Sequence, residues 1–367
     1  METIRFILVI LGMLGLLSAC AQAAVTPTPT QRPPEPGQPA AVKSPTPAAR
    51  ATSPADAYAF AQNQRLGRGV NLGNALEAPK EGEWGMVIQE EYFQLIKQAG
   101  FESVRVPIKW SAHAAADAPY TIDPQFFERI DWVIAQAQKN ELAVVINIHH
   151  YDEIMESPRL HKERFLSIWE QIAERYKDYP DSLYFELLNE PFGTLANTSW
   201  NDFAKEAITV IRKTNPQRII IVGPGNWNAI DLLPLLDLPT QERNLIVTVH
   251  YYLPFQFTHQ GAEWADGSEA WMGTTWDGTA DQKRLLDNDL DKAARWSAQQ
   301  SRPIYLGEFG AYSKADMASR QRWTAFVARS AEQRGFSWAY WEFGAGFGVY
   351  DREAKAWVEP IRQALLP

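Results

Sequence analysis

Two glutamates in this 367-residue chain each follow a short apolar run of the kind that forms a buried β-strand. Glu190 follows residues 183–188, and Glu308 follows residues 304–306. Two facing carboxylates can hydrolyse a glycosidic bond, because one protonates the leaving oxygen while the other attacks the anomeric carbon. Their pKa values must differ, and a guanidinium and a phenol beside one carboxylate would keep that one ionised. The pair therefore predicts a site that cleaves glycosidic bonds.

Further polar and aromatic side chains stand inside or directly after similar runs, where a buried strand is otherwise continuously hydrophobic. They are Asn71, Asn74, Arg105, His149, His150, Asn189, Trp227, His250, Tyr252, Trp341 and Glu342. Each has a structural alternative: Glu190 could begin a helix before Pro191, and Arg105 could be a counterion. Their common position favours a single site, because the carboxyl ends of parallel strands meet on one face of a barrel.

The alternation of side chains along a strand assigns some of these residues to faces. His250 and Tyr252 share a face, and Glu308 is in phase with Leu306 and Ile304. We expect the polar side chains to point inward.

Glu186 precedes Glu190 by four residues, so the period of two places both on the inward face. A buried carboxylate is costly unless it is paired. We expect Arg105 to be its partner, with His149 as second choice, and Arg105 to reach on toward Glu308. The alternative is a lone buried acid that is protonated or bonded to water.

The elements that position these residues are eight apolar runs that alternate with helical patterns. The runs are Gly69–Leu72, Ser103–Ile108, Ala143–Ile148, Leu183–Leu188, Ile219–Val222, Leu245–Val249, Ile304–Leu306 and Ser337–Trp341, with helical patterns such as Phe126–Lys139, Lys162–Lys177 and Arg320–Arg334 between them. Eight strand–helix units in about 300 residues predict an α/β fold, a single (β/α)8 TIM barrel. The alternative is a doubly wound open sheet, but no glycine-rich phosphate loop follows the first strand.

Zinc-dependent hydrolysis is the competing chemistry, and it requires three convergent ligands. The chain has six histidines. His149 and His150 are adjacent on an extended segment, so we expect them to point to opposite sides. The sequence therefore predicts no metal site and no cofactor.

Composition indicates a globular protein, with 46% hydrophobic and 22% charged residues. The net charge of −9 excludes a phosphate backbone as the expected partner. Fourteen Trp residues suit either a core or stacking on sugar rings. No linker interrupts residues 55–367, which we expect to form one catalytic domain and to act as a monomer.

The N-terminal residues predict export. Residues 4–17 form an apolar run of the length of a signal-peptide core, and Leu17-Ser18-Ala19-Cys20 resembles the lipobox of bacterial lipoproteins. We expect residues 1–19 to be a leader, Cys20 to carry lipid, and residues 20–54, rich in Pro and Thr, to be a disordered tether. This predicts a lipid anchor at the cell surface or outer membrane; the alternative is an ordinary secretory leader with an incidental Cys.

Five motifs in order give the chain a family resemblance from about residue 60 to the end. They are Val104-Arg105-Val106-Pro107, Asn147-Ile148-His149-His150-Tyr151, Leu187-Leu188-Asn189-Glu190-Pro191, Val249-His250-Tyr251-Tyr252 and Leu306-Gly307-Glu308-Phe309-Gly310. With these motifs the chain resembles family 5 glycoside hydrolases, the cellulase A family. The opening segment from Gly67 to Glu77 looks like the first strand of bacterial endoglucanases in that family, and the resemblance makes Asn74 and Glu77 candidate substrate-binding or supporting residues.

The resemblance implies a retaining endo-β-1,4-glucanase without metal or cofactor, acting on a β-linked polysaccharide or oligosaccharide. Glu190 would be the acid/base and Glu308 the nucleophile. The other roles that it implies belong to Asn189 at the sugar 2-hydroxyl, Arg105 and Tyr252 on the nucleophile, His250 beside the acid/base, His149 and His150 around the −1 subsite, and Trp341 as its stacking floor. Related enzymes also cut glucomannan or mannan, so a β-mannanase remains the alternative activity.

The sixth strand is followed by the longest excursion, Leu253–Ala294, which holds Trp264, Trp271 and Trp276. A long loop with Gly and Trp at a barrel mouth predicts a subsite wall or lid, with Trp264 as a substrate contact. A different class of protein, a cell-surface carbohydrate-binding barrel without catalysis, would be expected to lack one of the two glutamates.

Overall fold

The chain folds into a closed barrel of eight parallel strands. The computed structural model describes residues 53–196 and 198–367. The strands are β1 (Arg68–Asn71), β2 (Ser103–Val106), β3 (Ala143–Asn147), β4 (Leu183–Glu186), β5 (Ile220–Val222), β6 (Leu245–His250), β7 (Ile304–Glu308) and β8 (Ser337–Tyr340). β8 pairs with β1, with Val70 beside Tyr340, so the sheet has no open edge. The predicted (β/α)8 barrel is confirmed, and the open-sheet alternative is wrong.

Helices alternate with the strands around the outside of the barrel. They are α1 (Pro54–Leu66), α2 (Glu90–Ala99), α3 (Pro124–Lys139), α4 (Asp152–Glu156), α5 (Pro158–Arg175), α6 (Thr198–Arg212), α7 (Gly225–Asn228), α8 (Phe255–Thr258), α9 (Ala280–Gln300), α10 (Met317–Gln333) and α11 (Glu359–Leu365). A short hairpin of β9 (Tyr350–Asp351) and β10 (Ala356–Trp357) precedes α11. The three predicted helices correspond to α3, α5 and α10, which begin a few residues earlier because proline or an aspartate cap starts each one.

The predicted loop Leu253–Ala294 is wrong in about its last third. Thr279 caps α9, since its side chain accepts a hydrogen bond from the backbone N–H of Gln282. Residues 280–300 are therefore helical, and the excursion at the barrel mouth ends at Thr279.

Side chains of the strands alternate between two apolar layers. On β3, Val144 and Ile146 pack with residues of the surrounding helices, whereas Val145 lies in the barrel interior. The interior layer is apolar toward the amino ends of the strands and is covered there by Ala59 and Leu66 of α1. The polar residues of the interior are consequently gathered toward the carboxyl ends.

Among the described residues, none of the helices combines the length and the apolar character needed to cross a bilayer. The predicted leader, Cys20 and the predicted tether up to residue 52 lie outside the described residues.

Candidate active site

Arg105 on β2 connects the polar groups at the carboxyl ends of the strands. Its Nε and Nη2 donate to the two carboxylate oxygens of Glu186, at 2.6 and 2.7 Å. Its Nη1 donates to Glu308 Oε1 at 2.7 Å and to Asn71 Oδ1 at 2.9 Å, and Nη2 also donates to Asn189 Oδ1 at 2.7 Å. Arg105 is fully buried. The expected pair of Glu186 and Arg105 is present, with Glu308 as the next contact.

Glu308 points into the site because β7 contains a bulge. Val249 pairs with Leu306, but His250 pairs with Glu308, so Gly307 is the extra residue. Leu306 and Ile304 lie in the layer under the helices. The expectation that they share an inward face with Glu308 is therefore wrong: the bulge resets the alternation and turns Glu308 inward.

The second oxygen of Glu308 is bonded by a phenol. Tyr252 donates its hydroxyl to Glu308 Oε2 at 2.9 Å. Burial raises the pKa of Glu308, while His250, the Arg105 ion pair and this hydroxyl oppose the rise. Because Arg105 contacts Glu308 directly, we expect Glu308 to be the carboxylate that stays ionised.

Glu190 lies at the end of the segment that follows β4, with a left-handed backbone at φ 45°. His250 Nδ1 lies 2.7 Å from Glu190 Oε1. Burial raises the pKa of Glu190 to about 7, and its attraction to Arg105 only partly opposes the rise. Two carboxylates in different surroundings thus divide into an ionised group and a proton holder.

One ligand atom from each of Glu190, His250 and Glu308 lies within 4.8 Å of the other two. The positions of the histidines, from which no metal site is predicted, do not reveal this mixed cluster of one histidine and two carboxylates. Arg105 already supplies a positive charge to Glu308, and Tyr252 donates to its other oxygen. A cation would have to compete with both donors, so the cluster fits an acid–nucleophile pair better than a metal site.

His149 and His150 stand side by side after β3. His150 has a left-handed backbone at φ 47°, so the segment is not extended and the two ring centroids lie only 4.6 Å apart. The expectation that they point to opposite sides is wrong for this reason. Trp341 stacks on His149 at 5.9 Å with an interplanar angle of 15°. Burial lowers the pKa of both histidines, to about 4 for His150, so they are neutral near pH 7.

Glu77 is buried, and its carboxylate accepts hydrogen bonds from the backbone N–H groups of Asn74 and Ala75. Burial raises its pKa to about 8. Its contacts hold the loop after β1, so any contact between Glu77 and substrate stays a prediction. Asn74 is half-buried beside it.

The comparisons with known proteins agree with this geometry. A model of the cellulase family, glycosyl hydrolase family 5, matches residues 66–346. This chain belongs to glycosyl hydrolase family 5. The resemblance found in the sequence is confirmed.

This chain aligns with different shares of its relatives in family 5. Endoglucanase H of Acetivibrio thermocellus is 38% identical over 321 residues, which is 86% of this chain but 34% of that protein. The chain thus spans about a third of this relative. Cel5A of Thermotoga maritima, solved in complex with cellobiose and with mannotriose, is 54% identical with a TM-score of 0.83, over 84% of this chain and 99% of that one.

The rim of this family 5 site carries exposed tryptophans. Trp227 is 48% exposed and stacks on Phe192 with ring centroids 5.4 Å apart and planes at 8°. Trp264 is 59% exposed and meets Tyr312 edge to face. Both side chains are accessible, as substrate contacts need to be. Trp276, from the same excursion as Trp264, is buried instead.

Sequence reasoning missed two aromatic residues at the rim, Phe192 under Trp227 and Trp84 beside His150. Trp84 is 44% exposed and meets the His150 ring edge to face at 5.5 Å. Neither residue lies inside or directly after an apolar strand run, which is the criterion that selects candidate residues from the sequence. Glu342, noted only as a polar strand-end residue, is buried and accepts hydrogen bonds from the backbone N–H groups of Gly344 and Phe347.

Proposed function

We propose that this protein is a retaining, endo-acting glycoside hydrolase that cleaves β-1,4-glucans by double displacement. The observation that carries the proposal is that carboxylate oxygens of Glu190 and Glu308 lie within 4.8 Å of each other. Retaining glycosidases hold their carboxyl groups roughly 5 to 5.5 Å apart, and inverting ones roughly 6.5 to 9.5 Å. The shorter spacing leaves no room for a water molecule between acid and nucleophile.

In the first step an oxygen of Glu308 attacks the anomeric carbon. The bond from that carbon to the leaving sugar breaks, and the leaving oxygen takes the proton of Glu190. Arg105 and Tyr252 hold Glu308 ionised and in one orientation until it forms the covalent bond. Because Asn189 Oδ1 accepts from Arg105, its amide N–H is the group available to the sugar 2-hydroxyl that the family resemblance assigns to it.

In the second step Glu190, now a carboxylate, takes a proton from water. The water oxygen attacks the same carbon, and the bond to Glu308 breaks. Two inversions give net retention, and the enzyme regains its starting protonation.

The stereochemistry of the first product tests this mechanism. Proton NMR of cellopentaose hydrolysis, recorded before mutarotation, should show the β-anomer. An α-anomer would overturn the retaining mechanism. Failure to release any reducing ends from soluble β-glucan would favour the non-catalytic carbohydrate-binding alternative.

The names of the relatives support glucan as the substrate. Endoglucanase H is a curated relative, and Cel5A was solved with cellobiose. Cel5A was also solved with mannotriose, which makes a mannanase or glucomannanase the second candidate. Rates on carboxymethyl cellulose, barley β-glucan, glucomannan and galactomannan should rank the glucans first. Faster cleavage of galactomannan than of either glucan would reverse the assignment.

We also propose that the protein is exported and held by lipid on Cys20, because Leu17-Ser18-Ala19-Cys20 directly follows the apolar run. Cys20→Ser should release the protein into the medium or leave the leader uncut. A wild-type protein that is fully soluble outside the cell and begins at another residue would contradict the anchor.

A further inference from the structure

The four-residue segment α7 after β5 is a left-handed turn, and the known chemistry of the site does not explain its backbone. Asn226, Trp227 and Asn228 all have left-handed φ angles, of 57°, 60° and 54°. Non-glycine residues rarely adopt this conformation, and a run of three persists only where the surroundings hold it. Such outliers gather at functional sites. The turn presents Trp227 to the rim, while Asn228 is fully buried on the other side.

The Asn228 amide is directed at the histidine that contacts the acid/base. Its Nδ2 lies 3.2 Å from His250 Nε2, and His250 Nδ1 lies 2.7 Å from Glu190 Oε1. An amide nitrogen only donates, so with the amide in this orientation Nε2 accepts, and a neutral ring then carries its proton on Nδ1. Space for the amide depends on Gly223, because a Cβ there would lie 2.1 Å from Asn228 Oδ1.

We propose that Asn228 is a positioning residue that holds the His250 proton on Nδ1 and thereby keeps the acid proton of Glu190 on the carboxyl oxygen that His250 does not contact. With the opposite tautomer, Nδ1 would be an acceptor and would draw the Glu190 proton toward the ring. The leaving oxygen would then compete with His250 for that proton. The inference rests on the proposed role of Glu190 as the acid.

The His250 ring must be neutral for the position of its single proton to matter. Burial lowers the pKa of His250 to about 4, although its attraction to Glu308 opposes the shift. The ring is therefore neutral near pH 7 and has one proton to place. The titratable groups around it are Arg105 on β2, His149 after β3, Glu186 and Glu190 from β4, Tyr252 after β6 and Glu308 on β7.

The decisive variant is Asn228→Asp, which keeps the shape of the side chain but replaces the donor by an acceptor. The new carboxylate should hold a proton on His250 Nε2. We expect turnover of β-glucan to fall by about tenfold to a hundredfold, less than the full contribution of general acid catalysis because Glu190 itself remains. Turnover of 2,4-dinitrophenyl β-cellobioside, whose leaving group needs no proton, should fall less than about threefold.

Asn226→Asp is the matched control, because it makes the same change of charge in the same left-handed turn on an exposed side chain. It should lose no more than about twofold on either substrate. A merely structural role of Asn228 would lower both rates of Asn228→Asp equally, and that result would overturn the proposal.

The tautomer itself can be measured without any activity. In wild-type protein labelled with ¹⁵N-histidine, the His250 Nε2 resonance at pH 7 should be that of an unprotonated acceptor, and Nδ1 that of a protonated nitrogen. A protonated Nε2 with an unprotonated Nδ1 would overturn the proposal even if the enzyme is active. If wild type hydrolyses no glycoside, the proposed function fails, and these resonances still decide the contact between Asn228 and His250.

Discussion

The catalytic centre contains two buried carboxylates on one guanidinium. Arg105 is bonded by Glu186 from one side and by Glu308 from the other, and both ion pairs are almost free of solvent. A buried charge is stable only when it is paired, so the three groups depend on one another. Glu190 has no direct guanidinium contact among the described residues, which separates its acid–base behaviour from that of Glu308.

Substitution of the two catalytic glutamates should have unequal consequences. Glu308→Gln should abolish turnover of every glycoside, because no nucleophile remains. Glu190→Gln should lose about 100-fold or more in kcat/KM on β-glucan but much less in kcat/KM on 2,4-dinitrophenyl β-cellobioside, because kcat/KM reports the first step and this leaving group needs no proton. Values of kcat/KM for both variants on both substrates check this. Equal losses on the two substrates in Glu190→Gln would contradict its role as the acid.

Glu186→Gln should affect both stability and pH dependence. The buried Arg105 would lose one bond of its bidentate pair, at a cost of about 1 to 3 kcal/mol in the free energy of unfolding. The charge of Glu186 raises the pKa of Glu190, so its removal should lower that pKa and move the basic limb of the kcat profile to lower pH. Urea unfolding and a pH–rate profile measure these effects.

Glu90→Gln is the control for Glu186→Gln, since Glu90 pairs with Lys139 on the surface with both side chains more than half exposed. Exposed pairs contribute about 0 to 1 kcal/mol, so the control should leave stability and the profile almost unchanged. If Glu186→Gln behaves like the control, the pair with Arg105 has no influence on the acid.

At the level of the elements, irregular backbone at the carboxyl ends of the strands orients the side chains of the active site. The bulge in β7 turns Glu308 inward, and left-handed residues follow β3, β4 and β5. Each non-glycine residue in that conformation costs roughly 1 to 2 kcal/mol, which the closed barrel must offset. The regular strands supply a rigid frame, and these departures from regularity place the reactive groups.

The bulge predicts that Gly307 tolerates no side chain. A Cβ there would lie 2.5 Å from Thr248 Oγ1 and 3.1 Å from His250 Nε2. Gly307→Ala should cost about 1 to 3 kcal/mol of stability by overpacking and should lower kcat, because Glu308 is the next residue. Urea unfolding and kcat on β-glucan check this.

The double variant Gly307→Ala with Thr248→Ala removes the atom that the new methyl group would meet. Thr248 Oγ1 has no hydrogen-bond partner among the described residues, so its loss alone should cost little. The double variant should recover part of the lost stability. Strict additivity of the two changes would show that the clash is not the cause.

Over the whole molecule, burial shifts the pKa values of several carboxyl groups and histidines toward the neutral form. Glu77, Glu190 and Glu342 have pKa values raised by burial to about 8, 7 and 7. His150, His250 and His259 have pKa values lowered by burial to about 4. Folding therefore favours the neutral form of both kinds of group, and each kind makes stability depend on pH in its own range.

Stability should fall between pH 6.5 and pH 8. The three glutamates contribute stability that is full below their ordinary pKa of about 4.5 and is lost as pH rises through their folded pKa values. The stability that the histidines contribute is lost mainly as pH falls below about 6.5, so above pH 6.5 they offset only part of this decrease. The expected decrease is on the order of 2 to 3 kcal/mol, taken from about 1.4 kcal/mol per unit of pKa.

Urea unfolding at several pH values between 6.5 and 8 measures that decrease. Glu77→Gln should reduce the slope most, because Glu77 has the highest folded pKa of the three. The slope, rather than the absolute stability, is the quantity to compare, since Gln also alters the bonds to the loop after β1. A slope unchanged by Glu77→Gln would contradict the raised pKa of this residue.

The sequence by itself determined the barrel, the positions of Glu190 and Glu308 at strand ends, and the pair of Glu186 with Arg105. These follow from local information, because apolar runs and a period of two are properties of consecutive residues. The burial of an acid also demands a partner, and Arg105 was the nearest cation at that depth.

Only the tertiary structure decided how the strand ends depart from that period. The bulge at Gly307 is defined by the pairing of β7 with β6, and the left-handed backbones of His150 and of residues 226–228 are not visible in the local pattern of apolar residues. A one-residue bulge reverses every inward and outward assignment beyond it. The reason why Glu308 faces the site, and the contact of Asn228 with His250, therefore had to be observed.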